Sequence, residues 1–535
     1  MSTPSSVPLS RRDLLKAGVL GSAALALPLE RAVTAGSVLP PRMPASKLPV
    51  PFTVPFAIPP MLSPYKSYGL TDYYRVEMKP FMGDILPGFK TPLWGYNGMF
   101  PGPTVSVEQG RKAVMRHINN LPARHPVLKY APWTSVHLHG SASKPQFDGY
   151  ASDVTNPGQY KDYEYPNVQT ARTLWYHDHG VHHTAENVQM GLAAQYHLHD
   201  PLERSLPIPH GEFDVPLIVT DAMFQPDGSL LWDNHDESGM FGDVILVNGR
   251  PWPLMQVKRR KYRFRLLNAS VARSYSWSLD SGEPFTIIGT DAGLMPAPKV
   301  VKSFRQGMAE RYEVVIDFSK YPVGRRVVLK NASPKNNINY TNTNKVMAFT
   351  VVGDDFDPTD NTVPDVLNPA NAVMARATTE AVATRRLDLY RSGGKFTING
   401  HTWDDVVASG HSLVEASPVD GDVEIWEIRN LSGGWFHPVH IHLIDFRVLD
   451  RNGKPPLPHE LGPKDVVYVG ENETVRVLAR FEGRGKYMIH CHNLVHEDHD
   501  MMTQFEVVGP EAGDDPLGDP CHNLPEPPDD SSGPG

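Results

Sequence analysis

Short runs in which apolar and polar residues alternate recur along the whole chain. Three of them read RKAVMRHINN from Arg111, KYRFRLLNAS from Lys261 and DVEIWEIRN from Asp422. A period of two puts the apolar side chains on one face of a β-strand, and residues that favour turns separate the runs. No long stretch has the period of an amphipathic helix. The pattern therefore predicts an all-β protein built from many short strands.

An Asn-Gly pair closes three of the strand-like runs, at two equal intervals of about 150 residues. The pairs begin at Asn97, Asn248 and Asn399, within LWGYNGMFPGPTV, VILVNGRPWPLM and KFTINGHTWDDV. Asn-Gly is a strong turn signal, and its regular recurrence indicates a tandem repeat. We therefore predict three β-sandwich domains, with boundaries at residues 65–205, 206–380 and 381–509.

The composition is that of an ordinary globular protein. Of 535 residues, 40% are hydrophobic and 21% are charged. The 51 prolines and 43 glycines favour short strands joined by turns over long helices. Because the net charge is −9, the chain lacks the basic footprint of a nucleic-acid-binding protein, and we expect no such partner.

The amino terminus has the layout of an export signal. Arg11 and Arg12 precede Lys16 and the apolar run AGVLGSAALALPL, and small residues that suit cleavage follow at Val33–Ala35. The run is too short for a membrane span, and the arginine pair resembles a twin-arginine signal. We predict a signal peptide at residues 1–35 and export to the periplasm, the cell surface or the medium; a fortuitous basic start is the alternative.

Two further segments flank the predicted domains. Residues 36–64 are rich in proline and serine, which predicts an extended arm that leads into the first domain. Residues 510–535 are acidic, rich in proline and glycine, and poor in apolar side chains. They offer too little apolar surface to offset the entropy lost on ordering, so we predict a disordered tail.

Four His-x-His pairs provide the main candidate chemistry. They lie within SVHLHGS, LWYHDHGV, WFHPVHIHLI and MIHCHNLVHEDHDMM, and their histidines are His137, His139, His177, His179, His440, His442, His490 and His492. Alternate residues of a strand share one face, so each pair can offer two imidazoles to one group of metal ions. Because eight imidazoles exceed what one ion can use, they predict a multinuclear site. The middle repeat contains no such pair.

The segment MIHCHNLVHEDHDMM adds a second candidate site. The two histidines of its HCH triplet face one side of the predicted strand, so Cys491 faces the other. A thiolate with imidazoles and a weak axial thioether is the blue-copper ligand set, which Cys491, His437, His496 and Met501 can fill. One strand would then join two metal sites and give electrons a short covalent path. Zinc is the main alternative metal, but structural zinc sites use two to four cysteines.

Five further histidines lie close to these segments or form a pair with no partner segment. They are His182, His183, His197, His199 and His499, which we expect to be non-ligands. The other cysteine, Cys521, shares the tetrapeptide CHNL with Cys491 but lies in the predicted tail. Because a metal-bound Cys491 cannot pair with Cys521, we expect no disulfide.

The four histidine segments resemble the motifs of the multicopper oxidases. They match the family patterns HxHG, HxH, HxxHxH and HCHxxxHxxxxM at every ligand position. The similarity extends between the motifs, through KYRFRLLNAS and AERYEVVIDFS, and covers the chain from about Pro64 to Val508. Within the family, the segments are most similar to the bilirubin oxidase and spore-coat laccase branches.

This resemblance implies a fold of three cupredoxin-like Greek-key domains and four copper ions. The type 1 copper would bind His437, Cys491, His496 and Met501, and the type 2 copper would bind His137 and His440. The type 3 pair would bind the remaining cluster histidines, which are His139, His177, His179, His442, His490 and His492. The trinuclear cluster would lie between the first and third domains.

The resemblance also implies a reaction. A type 1 copper would take four electrons, one at a time, from phenols, aromatic amines or bilirubin-like tetrapyrroles, and the cluster would reduce dioxygen to water. Glu497 and Asp148 match acidic positions of the family and could relay protons, although a solvated acid, or for Asp148 a turn aspartate before Gly149, is the alternative. Trp435 could flank the donor surface or be a core tryptophan.

Two other functions remain open at this point. Oxidation of cuprous ion for copper tolerance would be typical of a relative with a methionine-rich insert, and the 18 methionines form no dense cluster beyond Met501 and Met502. A non-catalytic protein that stores copper or transfers electrons would need only the type 1 ligands, so the eight paired histidines argue against it. We expect a monomer.

Overall fold

The computed structural model describes residues 40–499 and 501–525. The predicted signal peptide at residues 1–35, the start of the arm and residues 526–535 lie outside this part of the chain. Within it strands dominate, which confirms the all-β prediction. No helix in the described ranges is both long and apolar enough to cross a membrane.

Strands β1 to β9 and two short helices form the first sandwich. The strands are β1 (Lys66–Tyr68), β2 (Thr71–Gly83), β3 (Thr91–Tyr96), β4 (Val105–Glu108), β5 (Lys112–Asn119), β6 (Val136–His139), β7 (Gln159–Tyr165), β8 (Arg172–Asp178) and β9 (Ala193–His199). The helices are α1 (Thr184–Met190) and α2 (Pro201–Ser205). One sheet contains β1, β2, β3, β5 and β7, and the other has the order β4-β9-β8-β6.

Strands β10 to β21 form the second sandwich. They are β10 (Asp214–Ala222), β11 (Val244–Val247), β12 (Arg250–Pro251), β13 (Leu254–Arg259), β14 (Lys261–Asn268), β15 (Tyr275–Leu279), β16 (Phe285–Thr290), β17 (Gly293–Val301), β18 (Ser303–Gln306), β19 (Arg311–Asp317), β20 (Arg326–Asn331) and β21 (Lys345–Asp354). Its sheets have the orders β12-β11-β10-β14-β19-β16-β17 and β13-β21-β20-β15-β18.

Strands β22 to β30 form the third sandwich. They are β22 (Ala383–Ser392), β23 (Lys395–Ile398), β24 (Val423–Asn430), β25 (His437–Ile441), β26 (Phe446–Arg451), β27 (Val466–Val469), β28 (Thr474–Arg480), β29 (Gly485–Cys491) and β30 (Met502–Val507). Its helices are α3 (Trp403–Ala408) and α4 (Leu494–Asp498). The two sheets have the orders β23-β22-β24-β28-β26 and β27-β25-β29-β30.

Six 3-10 helical turns also lie within the described ranges. They are Ala45–Lys47, Pro145–Phe147, Gly211–Phe213, Phe318–Lys320, Thr378–Glu380 and Pro458–Glu460. No strand in residues 40–499 crosses the predicted domain boundaries after residues 205 and 380.

The three Asn-Gly pairs occupy equivalent places in the three sandwiches. Asn97, Asn248 and Asn399 each follow a strand and have a positive φ, which asparagine tolerates better than most residues. The side-chain Oδ1 of each accepts a hydrogen bond from a backbone N–H of a neighbouring strand, at 2.9, 2.8 and 2.8 Å respectively. The tandem repeat predicted from sequence spacing is therefore a structural repeat.

Strands on the outside of the molecule differ from those that lie between sandwiches. In β2 and β24, buried and partly exposed residues alternate, as a sheet with one solvated face requires. In β6, β8 and β25 every residue is buried, and β29 departs from this only at Lys486. The paired histidines lie in these four strands or directly after them, so the fold removes both faces of the strands from water.

The arm makes its first contacts with the second sandwich. Phe52 N–H donates to Trp252 O at 2.8 Å, and Phe56 N–H donates to Leu254 O at 3.0 Å. Farther along, Leu62 N–H donates to the first sandwich at Thr104 O, at 2.7 Å. The predicted extended arm therefore satisfies its backbone groups on two sandwiches in turn.

The prediction of a disordered tail is wrong for residues 510–525. His522–Asn523 forms a short strand, β31, that pairs antiparallel with the edge strand β7. The buried Lys161 of β7 donates to Asp519 O at 2.9 Å. An edge strand with unpaired backbone groups and a buried ammonium therefore hold the tail, although it has few apolar side chains.

Candidate metal centre

Two antiparallel strands of the first sandwich carry four of the paired histidines. β6 contains His137 and His139, β8 contains His177, and His179 follows β8 at once. His137 lies directly opposite His177 in the ladder. Strand alternation sends the rings of each pair toward one side, where they meet the third sandwich.

Two strands of the third sandwich carry the other four. His440 of β25 lies directly opposite His490 of β29. His442 and His492 come directly after the last residues of these strands. The pairs from the two outer sandwiches thus face each other across the interface, and all eight side chains are buried.

The ring nitrogens of the two sandwiches converge. His137 Nε2 lies 3.4 Å from His440 Nε2, and His179 Nε2 lies 3.2 Å from His490 Nε2. His442 Nε2 is also 3.2 Å from His490 Nε2. In three overlapping groups, candidate ligand atoms lie within 4.8 Å of one another, which is close enough to share a metal ion.

The nitrogen atoms at this interface fit a group of bound cations. Among the described residues, His139 Nδ1, His177 Nε2 and both ring nitrogens of His492 are buried and have no hydrogen-bond partner. Such atoms cost free energy unless something satisfies them. Burial lowers the pKa of His177 to about 3 and that of His179 to about 4, which favours the neutral imidazole that binds metals.

The nitrogens that point away from the interface are held by acceptors. These contacts run from His177 Nδ1 to Asp178 O (2.7 Å), His440 Nδ1 to Asp465 O (2.8 Å), His442 Nδ1 to Asp148 Oδ2 (2.8 Å) and His490 Nδ1 to Cys491 O (3.3 Å). Because each acceptor takes the N–H of its ring, the opposite nitrogen carries a lone pair toward the centre.

Cys491 forms a separate site on the other face of β29. His437 Nδ1 lies 3.3 Å and His496 Nδ1 lies 3.7 Å from Cys491 Sγ, and these three residues form a further group able to hold a metal ion. Ser432 Oγ donates to Asn430 Oδ1 and can accept from His437 Nε2–H at 2.8 Å. That arrangement leaves the lone pair of His437 Nδ1 directed at the sulfur.

The Cys491 thiol lies in surroundings that disfavour its ionised form. Burial raises its pKa well above the ordinary range, and the N–H of Asn493, 3.5 Å from Sγ, opposes this only in part. A thiolate at this position therefore requires a neighbouring cation. A thiol and two neutral imidazoles are a donor set that suits such a cation.

The other predicted residues of this site lie beside Cys491. Met501 is fully buried in the same apolar core and its carbonyl accepts from Cys491 N–H at 3.1 Å. Trp435 is half-buried, and its ring packs edge-on against His496 with centroids 5.6 Å apart. Phe396 packs against His496 at 4.1 Å. Trp435 is therefore neither a fully buried core residue nor remote from the site.

Both predicted carboxylates are buried against the histidine cluster. Glu497 contacts His490 and His179 from one side, and Asp148 contacts His442 from the other. Burial raises the pKa of Glu497, but the neighbouring imidazoles outweigh this and hold it at about 2. Burial raises the pKa of Asp148 well above its ordinary value. The interpretation of either residue as a solvated acid is therefore wrong.

The histidines expected to be non-ligands have other contacts. His197 Nε2 contacts Gln195 Oε1 at 2.8 Å, and His199 Nδ1 contacts Glu203 Oε2 at 3.1 Å. The remaining three, His182, His183 and His499, contact Asp404, Tyr130 and Glu237 respectively. Both cysteines are free thiols, as expected, and Cys521 lies beside Thr155 Oγ1 at 3.3 Å.

Sequence reasoning missed the residues that orient the rings. Ser432, Asp178 and Asp465 each contact a candidate ligand, yet none was singled out as a candidate site residue. Only Asp178, which stands between two candidate ligands, could have been noticed from its position. Asp465 lies in PKDVVYV, where it reads as an ordinary polar residue before a strand.

Comparison with known families agrees with this geometry. Three family models, each described as multicopper oxidase, match residues 82–203, 215–353 and 358–511. The chain is 42% identical over 528 residues to a bilirubin oxidase of Albifimbria verrucaria, covering 91% of this chain and 89% of that one. It is 34% identical over 515 residues to a laccase of Bacillus subtilis, covering 85% and 98%.

Solved structures show the same relationship. The crystal structure of a multi-copper oxidase from Pediococcus acidilactici superposes with a TM-score of 0.77 and 29% identity, covering 89% of this chain and 95% of that one. The crystal structure of the multicopper oxidase McoA from Aquifex aeolicus superposes with a TM-score of 0.72 and 28% identity, covering 84% and 100%. These relatives support copper as the cation that fits both sites.

Replacing the sulfur should separate the two sites. In Cys491→Ser we expect the copper-loaded protein to lose its intense blue absorption, because the hydroxyl cannot supply a copper–thiolate bond, while the protein stays folded. Copper content should fall by about one ion per chain. Cys521→Ser is the matched control and should keep both. Visible absorption and metal analysis measure the outcome, and a blue Cys491→Ser protein would refute this site.

Proposed function

The chain belongs to the multicopper oxidase family, and on that premise we propose that it couples oxidation of small aromatic donors to reduction of dioxygen. The donors would be phenols, aromatic amines or bilirubin-like tetrapyrroles. One observation carries the proposal: Cys491, the last residue of β29, stands between His490 and His492, and it groups with His437 and His496, whereas His490 groups with His179 and His442. A site for taking single electrons is thus joined by the chain itself to a site with room for several metal ions.

We assign four copper ions to these residues. A type 1 copper would be held by His437, Cys491, His496 and Met501, and a type 2 copper by His137 and His440. A type 3 pair would be held by the six remaining cluster histidines, which are His139, His177, His179, His442, His490 and His492. The copper ions would supply one-electron redox chemistry at both sites. The convergence of unpartnered ring nitrogens supports this assignment.

The residues around Cys491 suit an aromatic electron donor. Trp435 is half-buried and packs against His496, so an aromatic ring docked on its exposed part would lie close to a ligand of the type 1 site. From Cys491 the covalent path to the cluster runs through one peptide bond to each flanking histidine. Four donors, each oxidised by one electron, would balance the four electrons and four protons that convert one dioxygen to two waters.

Two carboxylates are in place to deliver those protons. Glu497, a buried carboxylate whose Oε2 lies 2.9 Å from His490 Nδ1, would take up a proton and release it toward the dioxygen at the cluster, while the ring of His490 keeps its own N–H. Asp148, whose pKa is raised by burial, can hold a proton at Oδ1 while Oδ2 accepts from His442. Carboxyl groups whose pKa values are pushed in opposite directions are suited to opposite proton-transfer roles.

We further propose that the protein is exported. The Arg11–Arg12 pair and the apolar run behind it support transport by the twin-arginine route to the periplasm, the cell surface or the medium. Such a route carries folded proteins, which suits a protein whose metal sites lie between domains. We propose that the exported protein acts as a monomer.

The competing donor is cuprous ion. Steady-state oxygen uptake with bilirubin, a phenol and cuprous ion should show kcat/KM values for the two organic donors that exceed the value for cuprous ion. Loss of oxygen uptake on removal of copper, and its return on reloading, should accompany this. Preference for cuprous ion would move the assignment to a metal oxidase, and copper-loaded protein without oxygen uptake from any donor would refute the oxidase.

The proton role of Glu497 can be tested without changing its shape. In Glu497→Gln we expect reoxidation of the reduced protein by dioxygen to slow by on the order of 10²-fold, since an amide cannot relay a proton. Reduction of the blue site by donor should change little. Glu424→Gln, at a buried carboxylate of the same sandwich that pairs with Arg385, is the control. Stopped-flow traces that show unchanged reoxidation would remove this role.

A further inference from the structure

The second sandwich supplies none of the candidate metal ligands, yet one of its side chains reaches the residues that hold them. Arg311, the first residue of β19, is fully buried. Its Nη1 and Nη2 donate to the two carboxylate oxygens of Asp465 at 2.7 and 2.5 Å. This is a bidentate ion pair between the second and third sandwiches.

Asp465 in turn contacts one histidine from each outer sandwich. Its Oδ1 lies 3.2 Å from His139 Nε2, and its backbone oxygen accepts from His440 Nδ1 at 2.8 Å. If His139 gives its Nε2–H to the carboxylate, its unpartnered Nδ1 is left with a lone pair directed into the cluster. One aspartate thus sets the tautomer of two candidate ligands.

Arg311 also touches the first sandwich and its own. Its Nε donates to Thr173 O of β8 at 2.9 Å, and its backbone N–H donates to Asp291 Oδ1 at 2.7 Å. The carboxylate of Asp291 also receives Asp465 N–H at 3.3 Å and pairs with Lys464 at 2.8 Å. All three sandwiches therefore meet at this guanidinium, and Asp465 is held through both its side chain and its backbone.

The close approach of Arg311 accounts for a glycine of the HxHG motif. Gly140, directly after His139, has a φ of +88°. A Cβ there would come within 2.6 Å of Arg311 Nη2 and 2.7 Å of Asp465 Oδ2. Because Gly140 has no side chain, the arginine–aspartate pair can pack directly against the backbone that follows β6.

Other buried arginines of the second sandwich do not share this connection. Arg273 is equally buried and its Nε donates to Asp221 Oδ2 at 2.7 Å. Arg263 and Arg265 pair with Glu203, Asp214 and Glu313. Within the described residues, neither Asp221 nor Glu313 contacts a candidate metal ligand, whereas Asp465 contacts two. An ion pair with a purely structural role would not need a carboxylate residue that contacts two candidate ligands.

We propose that Arg311 is a positioning residue through which the second sandwich sets the copper affinity of the histidine cluster. It holds Asp465 in the one orientation that serves both His139 and His440. The inference rests on the proposed binding of copper by the cluster. Lysine should not replace arginine here, because an ammonium is a point charge and cannot donate a parallel pair of hydrogen bonds to a carboxylate.

The test compares Arg311→Lys with Arg273→Lys in the full-length, copper-loaded protein. A copper chelator is titrated in, while blue absorption reports the Cys491 site, and electron paramagnetic resonance reports the non-blue copper. In Arg311→Lys we expect the cluster to release copper about 10–100-fold more readily and the non-blue signal to change, with the blue site unaffected. Arg273→Lys should keep wild-type release and both signals.

The outcomes are distinct. Wild-type release and an unchanged non-blue signal in folded Arg311→Lys would overturn the inference, as would equal weakening of both sites or equal losses in the two lysine variants. If Arg311→Lys is not recovered folded, Asp465→Asn carries the test, with the same selective loss expected and wild-type copper release overturning the proposal. A wild-type protein with no copper beyond the blue site would instead refute the proposed function.

Discussion

The structure depends on keeping metal-binding side chains dry where two sandwiches meet. Eight imidazoles are buried at this interface and one thiol is buried in the core of the third sandwich. Several of the ring nitrogens face each other or have no hydrogen-bond partner, an arrangement that costs free energy without a cation. Burial lowers the pKa of His177 and His179, which favours the neutral form that binds metals, and it makes ionisation of Cys491 dependent on a positive neighbour. Binding of a cation would therefore offset the free-energy cost of burying these groups.

The backbone of β29 divides these groups into two sites. Neighbouring residues on a strand point to opposite faces, so the HCH triplet places sulfur in the core of the third sandwich and imidazoles at the interface with the first. No loop is needed between the sites, and their separation follows from the strand geometry. The second sandwich contacts Asp465 through two buried charged residues, Arg311 and Asp291, and Asp291 also pairs with Lys464 of the third sandwich.

Much of this could be predicted from the sequence because the signals are local. Alternating runs identify the strands, the Asn-Gly turns give the repeat, and the His-x-His spacing identifies the cluster. What could not be predicted depends on partners far away in the chain. Nothing near Asp465 indicates that Arg311 will pair with it, and nothing in the acidic tail indicates that the edge of β7 and the buried Lys161 will hold it. The composition of a segment indicates how much apolar surface it can bury by itself. It does not indicate which polar groups of neighbouring elements are available to pair with the segment.

Anomalous diffraction at the copper absorption edge, from crystals of the copper-loaded full-length protein, would locate the metal ions. We expect one peak at bonding distance from Cys491 Sγ, His437 Nδ1 and His496 Nδ1. We expect three more among the eight paired histidines and none at Cys521. A single peak at Cys491, or signal only at the zinc edge, would contradict the proposal that these ligands form an electron-entry copper site and a separate multinuclear copper site.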